Sequence, residues 1–186
     1  GSFGDGGDKR TAGGLVSALL YRSMTKFLPA LLLICFACSC GRAQTRVNPV
    51  VPSYGGIYPI EDATFKPDST LSYKIVVDVV SGAEEPDVPG LGLNNVARML
   101  NLHAVGGVPA ANMEVVLAIH GGATFNVLND EAYRVKYEID NPNLPLIREL
   151  KAAGVRLTVC GQSLIARKVD LTDVAPEVEI ATSMLT

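Results

Sequence analysis

VRLTVCGQSLIARK, residues 155–168, is the stretch on which the fold turns. Apolar Val155, Leu157 and Val159 alternate with Arg156 and Thr158, the period of a β-strand, and the run stops at Cys160. Gly161 follows, and Gln162 to Lys168 reads as a short helix. A strand that passes through a glycine directly into a helix is the junction from which parallel crossover units are built.

The segments on either side repeat the pattern. LSYKIVVDVVSG (71–82) and MEVVLAIHGGA (113–123) are β-branched or apolar runs that end in glycine, and both read as strands buried on both faces. EVEIAT (177–182) supplies a fourth strand. Between the first two, Leu93, Val96, Ala97, Leu100 and Ala104 fall at helical spacing, with Met99 and Leu102 off that stripe. TFNVLNDEAYRVKYEI (124–139) reads as a helix with Phe125, Leu128, Ala132 and Val135 on one side, and Asn141-Pro142 interrupts it. NLPLIRELKAAG (143–154) reads as another helix, with Lys151 in its last turn and Gly154 as its stop. Strands alternating with helices predict an α/β domain, a three-layer α/β/α sandwich on a mainly parallel sheet. The chain stops just after the fourth strand, where such a domain usually adds a further helix, so a missing C-terminal helix is expected.

The 186 residues are 48% hydrophobic and 19% charged with a net charge of -3, which gives no reason to expect a nucleic-acid partner. The cysteines are uneven: Cys35, Cys38 and Cys40 crowd together and Cys160 stands alone. Met24, Lys26 and the apolar run 27–36 have the form of a signal peptide and are too short for a comfortable membrane span. Two processing routes stay open. One is cleavage after Ala43, giving a periplasmic or secreted protein; the other is a lipoprotein anchored to the membrane through Cys40. Residues 1–23 then read as an over-extended or non-native leader, 24–43 as the signal, 44–70 as a Pro/Gly-rich tether laid over the domain with a short strand near 56–59, and 71–186 as the α/β domain.

Cleavage after Ala43 would leave Cys160 without an internal disulfide partner in an oxidising compartment. In open parallel sheets, ligands bind beyond the carboxyl ends of the strands. Three such ends are marked: Ser81-Gly82, His120-Gly121-Gly122 and Cys160-Gly161-Gln162. Cys160 also precedes a helix start, which favours thiolate, and His120 is its candidate base if the second and third strands are neighbours. Two readings of the cysteine stand side by side: a functional thiol, or a small buried core residue. His120 equally reads as a strand-end histidine bonded to a loop carbonyl, and His103 as a surface or interface histidine. No third group to orient His120 is evident. PGLGLNN (89–95) is only a partial glycine pattern after a loop, so no dinucleotide or other cofactor is expected. One cysteine and two separated histidines make a poor metal set.

VVLAIHGGA (115–123), NPNLPLIRELKAAGVRLTVCGQSL (141–164) and VAPEVEIATSML (174–185) together resemble the DsrE-like superfamily (DsrE/DsrF, YchN-like fold), over about residues 73–186. The resemblance implies an α/β/α domain and a homo-oligomer, trimer or hexamer. It also implies, for some relatives, sulfur carried as a persulfide on the cysteine that matches Cys160, in exchange with a thiol or sulfur-donor protein. The alternative function is a non-catalytic, oligomeric small-ligand-binding or assembly module, with Met99 and Leu102 off the helical stripe facing a neighbouring subunit or covered by a long loop.

Overall fold

The computed structural model describes residues 1–2 and 44–186. The expected signal peptide, the anchor cysteine Cys40 and the leader from residue 3 onward lie outside the described residues.

The domain is an α/β fold on one parallel four-stranded sheet, β1 (Tyr73–Val79), β2 (Met113–Ile119), β3 (Arg156–Cys160) and β4 (Glu179–Ala181), in the order β1-β2-β3-β4. Its helices are α1 (Leu91–Val105), α2 (Asp130–Tyr137), α3 (Leu144–Ala152) and α4 (Gly161–Ala166), with three short 3-10 turns between them. Successive crossovers of one hand that step in one direction place their helices on the same face of a sheet. The burial agrees. Val79, Val115, Leu117, Ile119, Leu157 and Val159 face a core filled by Leu93, Val96, Ala97 and Leu100 of α1 and Leu144, Leu146, Ile147 and Leu150 of α3. Each fully buried aliphatic side chain contributes about 1.5–3 kcal/mol, so this layer dominates the stability.

The opposite face is open at β1, where Lys74, Val76 and Asp78 are exposed and Val76 keeps 73% of its surface. The expectation that this strand is buried on both faces is therefore corrected. Lys74 and Asp78, alternating with Ile75, Val77 and Val79, follow the period of a half-buried strand, and β1 is an edge of the sheet. Across this face Lys74 pairs with its register partner Glu114, and Arg156 reaches diagonally to Glu179, whose register partner is Thr158.

The 124–139 helix is also corrected. A 3-10 stretch (Gly121–Val127) leads into α2, which starts afresh because the Asn129 side chain caps it, accepting the Ala132 N–H at 2.8 Å. Tyr133 is the buried residue of α2, and Val135 is 85% exposed. The stripe expected on α1 packs as read at Leu93, Val96, Ala97 and Leu100. α3 has Pro145 in its first turn and gives way to Gly154 at φ +88, which suits glycine.

Residues 44–70 lie on the domain. Val51 and Ile57 are buried, and Val47 and Ile57 form an isolated antiparallel bridge where the short strand was expected. Asn101 of α1, itself fully buried, holds this strip: its Oδ1 accepts the Val50 and Val51 N–H groups at 2.9 and 3.0 Å. Its Nδ2 donates to the Tyr54 and Gly55 carbonyls at 3.1 and 3.0 Å. Farther along, residues 57–67 run beside Leu102 and Val105 and line with them a groove of about 410 Å³.

Candidate functional site

Cys160 ends β3 and caps α4 with extended backbone (φ -70, ψ 115). It is 6% exposed and is the free cysteine among the described residues. Gly161 lies so close to β4 that a Cβ there would stand 3.0 Å from the Ala181 carbonyl, which brings residues 182–184 beside the sulfur. Burial pushes the Cys160 thiol up, but hydrogen bonds from the Met184, Ser163 and Gln162 amides and the Ser183 hydroxyl outweigh it and hold the pKa below that of an ordinary thiol.

His120 lies one residue past the last paired positions of β2 and β3, Ile119 and Val159, which puts it beside Cys160 in register. Side chains alternate along a strand, so His120 and Cys160 both leave the core face. Among the described residues no hydrogen bond joins them. His120 Nε2 instead lies 2.7 Å from Asp78 Oδ1, on the neighbouring strand β1. Asp78 thus supplies the orienting carboxylate that was not evident in the sequence, and it fixes the imidazole's plane and tautomer. The signal was the solitary acid inside YKIVVDV, at a position whose neighbours in the run are apolar.

The predicted ligand-binding residues divide into two groups. Gly82 and Gly122 meet at the ends of β1 and β2; a Cβ on Gly82 would stand 3.1 Å from the Gly122 carbonyl. Together with Asn126, Tyr133 and Tyr137 they line a cavity of about 340 Å³. Gly121 (φ +58) lies against Val80, where a Cβ would come within 2.7 Å of the Val80 carbonyl. Ser81 is exposed and is not among the lining residues. Gly161 and Gln162 belong with Cys160 at the β3 and β4 ends, where Gln162 Nε2 reaches the Thr182 carbonyl at 3.5 Å.

Ser163 joins the two groups, and nothing in its sequence context marked it. Its Oγ accepts the Gly121 N–H at 3.1 Å and an Arg167 guanidinium N–H at 3.0 Å. Both lone pairs are then used, so its own proton points to Thr124 Oγ1, 2.9 Å away. Ser163 is therefore a fastener between α4 and the His120 loop, with no lone pair left for attack. Buried asparagines fix the cavity wall in the same way. Asn126 Oδ1 accepts the Ala83 N–H at 3.2 Å, and Asn141 Nδ2 holds the Asn126 and Leu128 carbonyls at 3.0 and 2.6 Å. Asn143 Oδ1 accepts the Gly90 N–H at 2.7 Å. Asn126 Nδ2 is buried without a partner and faces Gly90. His103 makes a local bond, Nδ1 to the Met99 carbonyl at 2.8 Å, and packs edge-on to Tyr73.

A parallel α/β sheet with its polar and thiol groups gathered at the carboxyl ends defines the class. Residues 74–185 match the model of the DsrE/DsrF-like family, and the chain belongs to that family. Among solved structures it is similar to a protein of unknown function from Methanobacterium thermoautotrophicum, at 17% identity and a TM-score of 0.43 over 61% of this chain and 85% of that one. No curated protein matches the sequence.

Proposed function

We propose that this family member handles sulfur or thiols through Cys160, in the periplasm or outside the cell. The observation that carries the reading is the place of Cys160 at the carboxyl end of β3, in register with the His120 that Asp78 holds, with its pKa kept below that of an ordinary thiol. In the persulfide form of the reaction, the Cys160 thiolate bonds the terminal sulfur of a donor persulfide as the donor's S–S bond breaks. The donor leaves as a thiol, with no net oxidation. In the mixed-disulfide form, the thiolate attacks a partner's disulfide and expels one of its sulfurs as thiolate. His120, held by Asp78, is placed to take or return a proton at that end of the sheet. The thiol or sulfur-donor partner is a protein, and export rests on the apolar run after Met24, with a Cys40 lipid anchor as the other route.

The test is incubation of the native protein with a low-molecular-weight persulfide, followed by proteolysis and mass spectrometry of the peptide that carries residue 160, which separates it from Cys35, Cys38 and Cys40. The wild type should gain one sulfur atom and lose it to dithiothreitol, and Cys160→Ser should gain none. A wild type that takes up no sulfur while native would overturn the reading.

A second reading is favoured by the cavity of about 340 Å³ at the β1 and β2 ends and by the burial of Cys160. In it, the protein is a trimeric or hexameric ligand-binding or assembly module without catalysis, and the exposed Leu102 with half-buried Met99 contributes to the subunit contact. Light scattering of the Met99→Lys/Leu102→Lys double variant tests that contact, since a change in mass is expected and an unchanged mass removes the role.

A further inference from the structure

A second polar site lies away from the strand ends, where residues 46–56 cross α1. A cleft of about 350 Å³ is lined there by Arg46, Asn48, Ser53, Asn94 and Arg98, with Tyr54, Gly55 and Gly56 as its floor. Arg46 and Arg98 both line this cleft. Neither Arg46 nor Arg98 forms an ion pair among the described residues, whereas Arg134, Arg148 and Arg156 each have a carboxylate. Glu149, whose Oε2 accepts the Ser53 N–H at 3.0 Å, is not among the lining residues.

Asn94 adds a donor, while Asn48 leaves its Oδ1, an acceptor, beside Gly56. Asn94 spends its Oδ1 on the Gly55 N–H at 3.0 Å, and its Nδ2 has no acceptor among the described residues. The Gly56 N–H likewise has none there. Asn48 spends its Nδ2 on the Tyr54 carbonyl at 2.7 Å, which holds the turn in shape. The framework is fixed in advance: Gly55 (φ +65) packs against the α1 backbone at Ala97 and Arg98, where a Cβ would collide. Arg46 lies along Gly56 with its guanidinium 5.2 Å from the Tyr58 ring centroid. Two like charges facing one cleft repel each other unless an anion lies between them, and guanidinium groups match the geometry of tetrahedral oxyanions.

We infer that the cleft between the N-terminal strip and α1 binds a small tetrahedral oxyanion of the sulfate or phosphate type, held by Arg46 and Arg98 with the Asn94 amide as a third donor. The site is independent of Cys160 and stands whether or not the thiol reading holds. Both arginines are exposed, so replacing them leaves the core intact.

The experiment is equilibrium dialysis of the full chain at low ionic strength, where screening is weakest, against radiolabelled sulfate and, separately, phosphate. Arg46→Gln, Arg98→Gln and a Lys74→Gln control are run beside it, with folding checked by circular dichroism. Saturable binding of one anion per chain is expected, weakened roughly tenfold or more by either arginine change and unaltered by Lys74→Gln. The inference is overturned if the wild type binds neither ion saturably, or if Lys74→Gln weakens binding as much as Arg98→Gln does, because net charge alone would then account for it.

Discussion

Asn101→Ala removes the one side chain that satisfies four backbone groups of the N-terminal strip. With the strip in place, the Val50 and Val51 N–H groups and the Gly55 carbonyl lose their partner, while the Tyr54 carbonyl keeps the Asn48 amide. Each buried group left unsatisfied costs about 1–3 kcal/mol, so holding the strip down would cost roughly 3–9 kcal/mol. The chain has a cheaper response, which is to let the strip go. That exposes Val51 and Ile57, each worth about 1.5–3 kcal/mol when fully buried. The smaller sum sets the loss at about 3–6 kcal/mol, a large share of the stability of an ordinary domain. Urea unfolding should show that loss together with a smaller m-value, since a detached strip leaves less surface to expose on unfolding. Limited proteolysis should cut between residues 44 and 57 in the variant while the rest of the domain survives. A loss below about 1 kcal/mol with unchanged proteolysis would refute the reasoning, because no arrangement of the strip escapes both penalties.

Gly121→Ala should destabilise by about 2–4 kcal/mol, measured by urea unfolding, because alanine pays for positive φ and its Cβ meets the Val80 carbonyl. Crystals of the variant should show the His120 loop displaced; a neutral change would contradict the close approach. Burial first, then Tyr137 and Asp87, push the Tyr133 hydroxyl up to about 12. The unfolded chain then binds fewer protons between pH 10 and 12, so stability falls with rising pH across that window, by on the order of 2–3 kcal/mol. Tyr133→Phe should flatten that slope, and an unchanged slope would refute the assignment.

The strands and the glycines after them were legible because local pattern and burial agree there: Val155, Leu157 and Val159 alternate, and the run ends where the sheet ends. β1 was misread because Val76 and Val80 mask the alternation that Lys74 and Asp78 carry; only its place at the sheet edge depends on strand order, a property no local window holds. The 124–139 segment deceived in the opposite way. Its apolar residues fit one helical stripe, yet Asn129 caps a new helix in their midst and turns Val135 outward. Asp78, Asn101 and Ser163 escaped notice because their partners lie 42, 50 and 42 residues away at the stated bonds, and polar residues reveal such roles only when the fold brings the partners up. Cys160 and His120 were singled out by position at strand ends, which depends on the fold class alone.

The most direct measurement is the rate of iodoacetamide alkylation of Cys160 in native protein, read on its own peptide apart from Cys35, Cys38 and Cys40, as a function of pH, with N-acetylcysteine run in parallel. Cys160 should react while the protein is folded, with a midpoint below that of the free thiol, because its hydrogen-bond donors outweigh its burial. Alkylation only after denaturant is added, or a midpoint at or above that of N-acetylcysteine, would contradict a working thiol and leave Cys160 as part of the core.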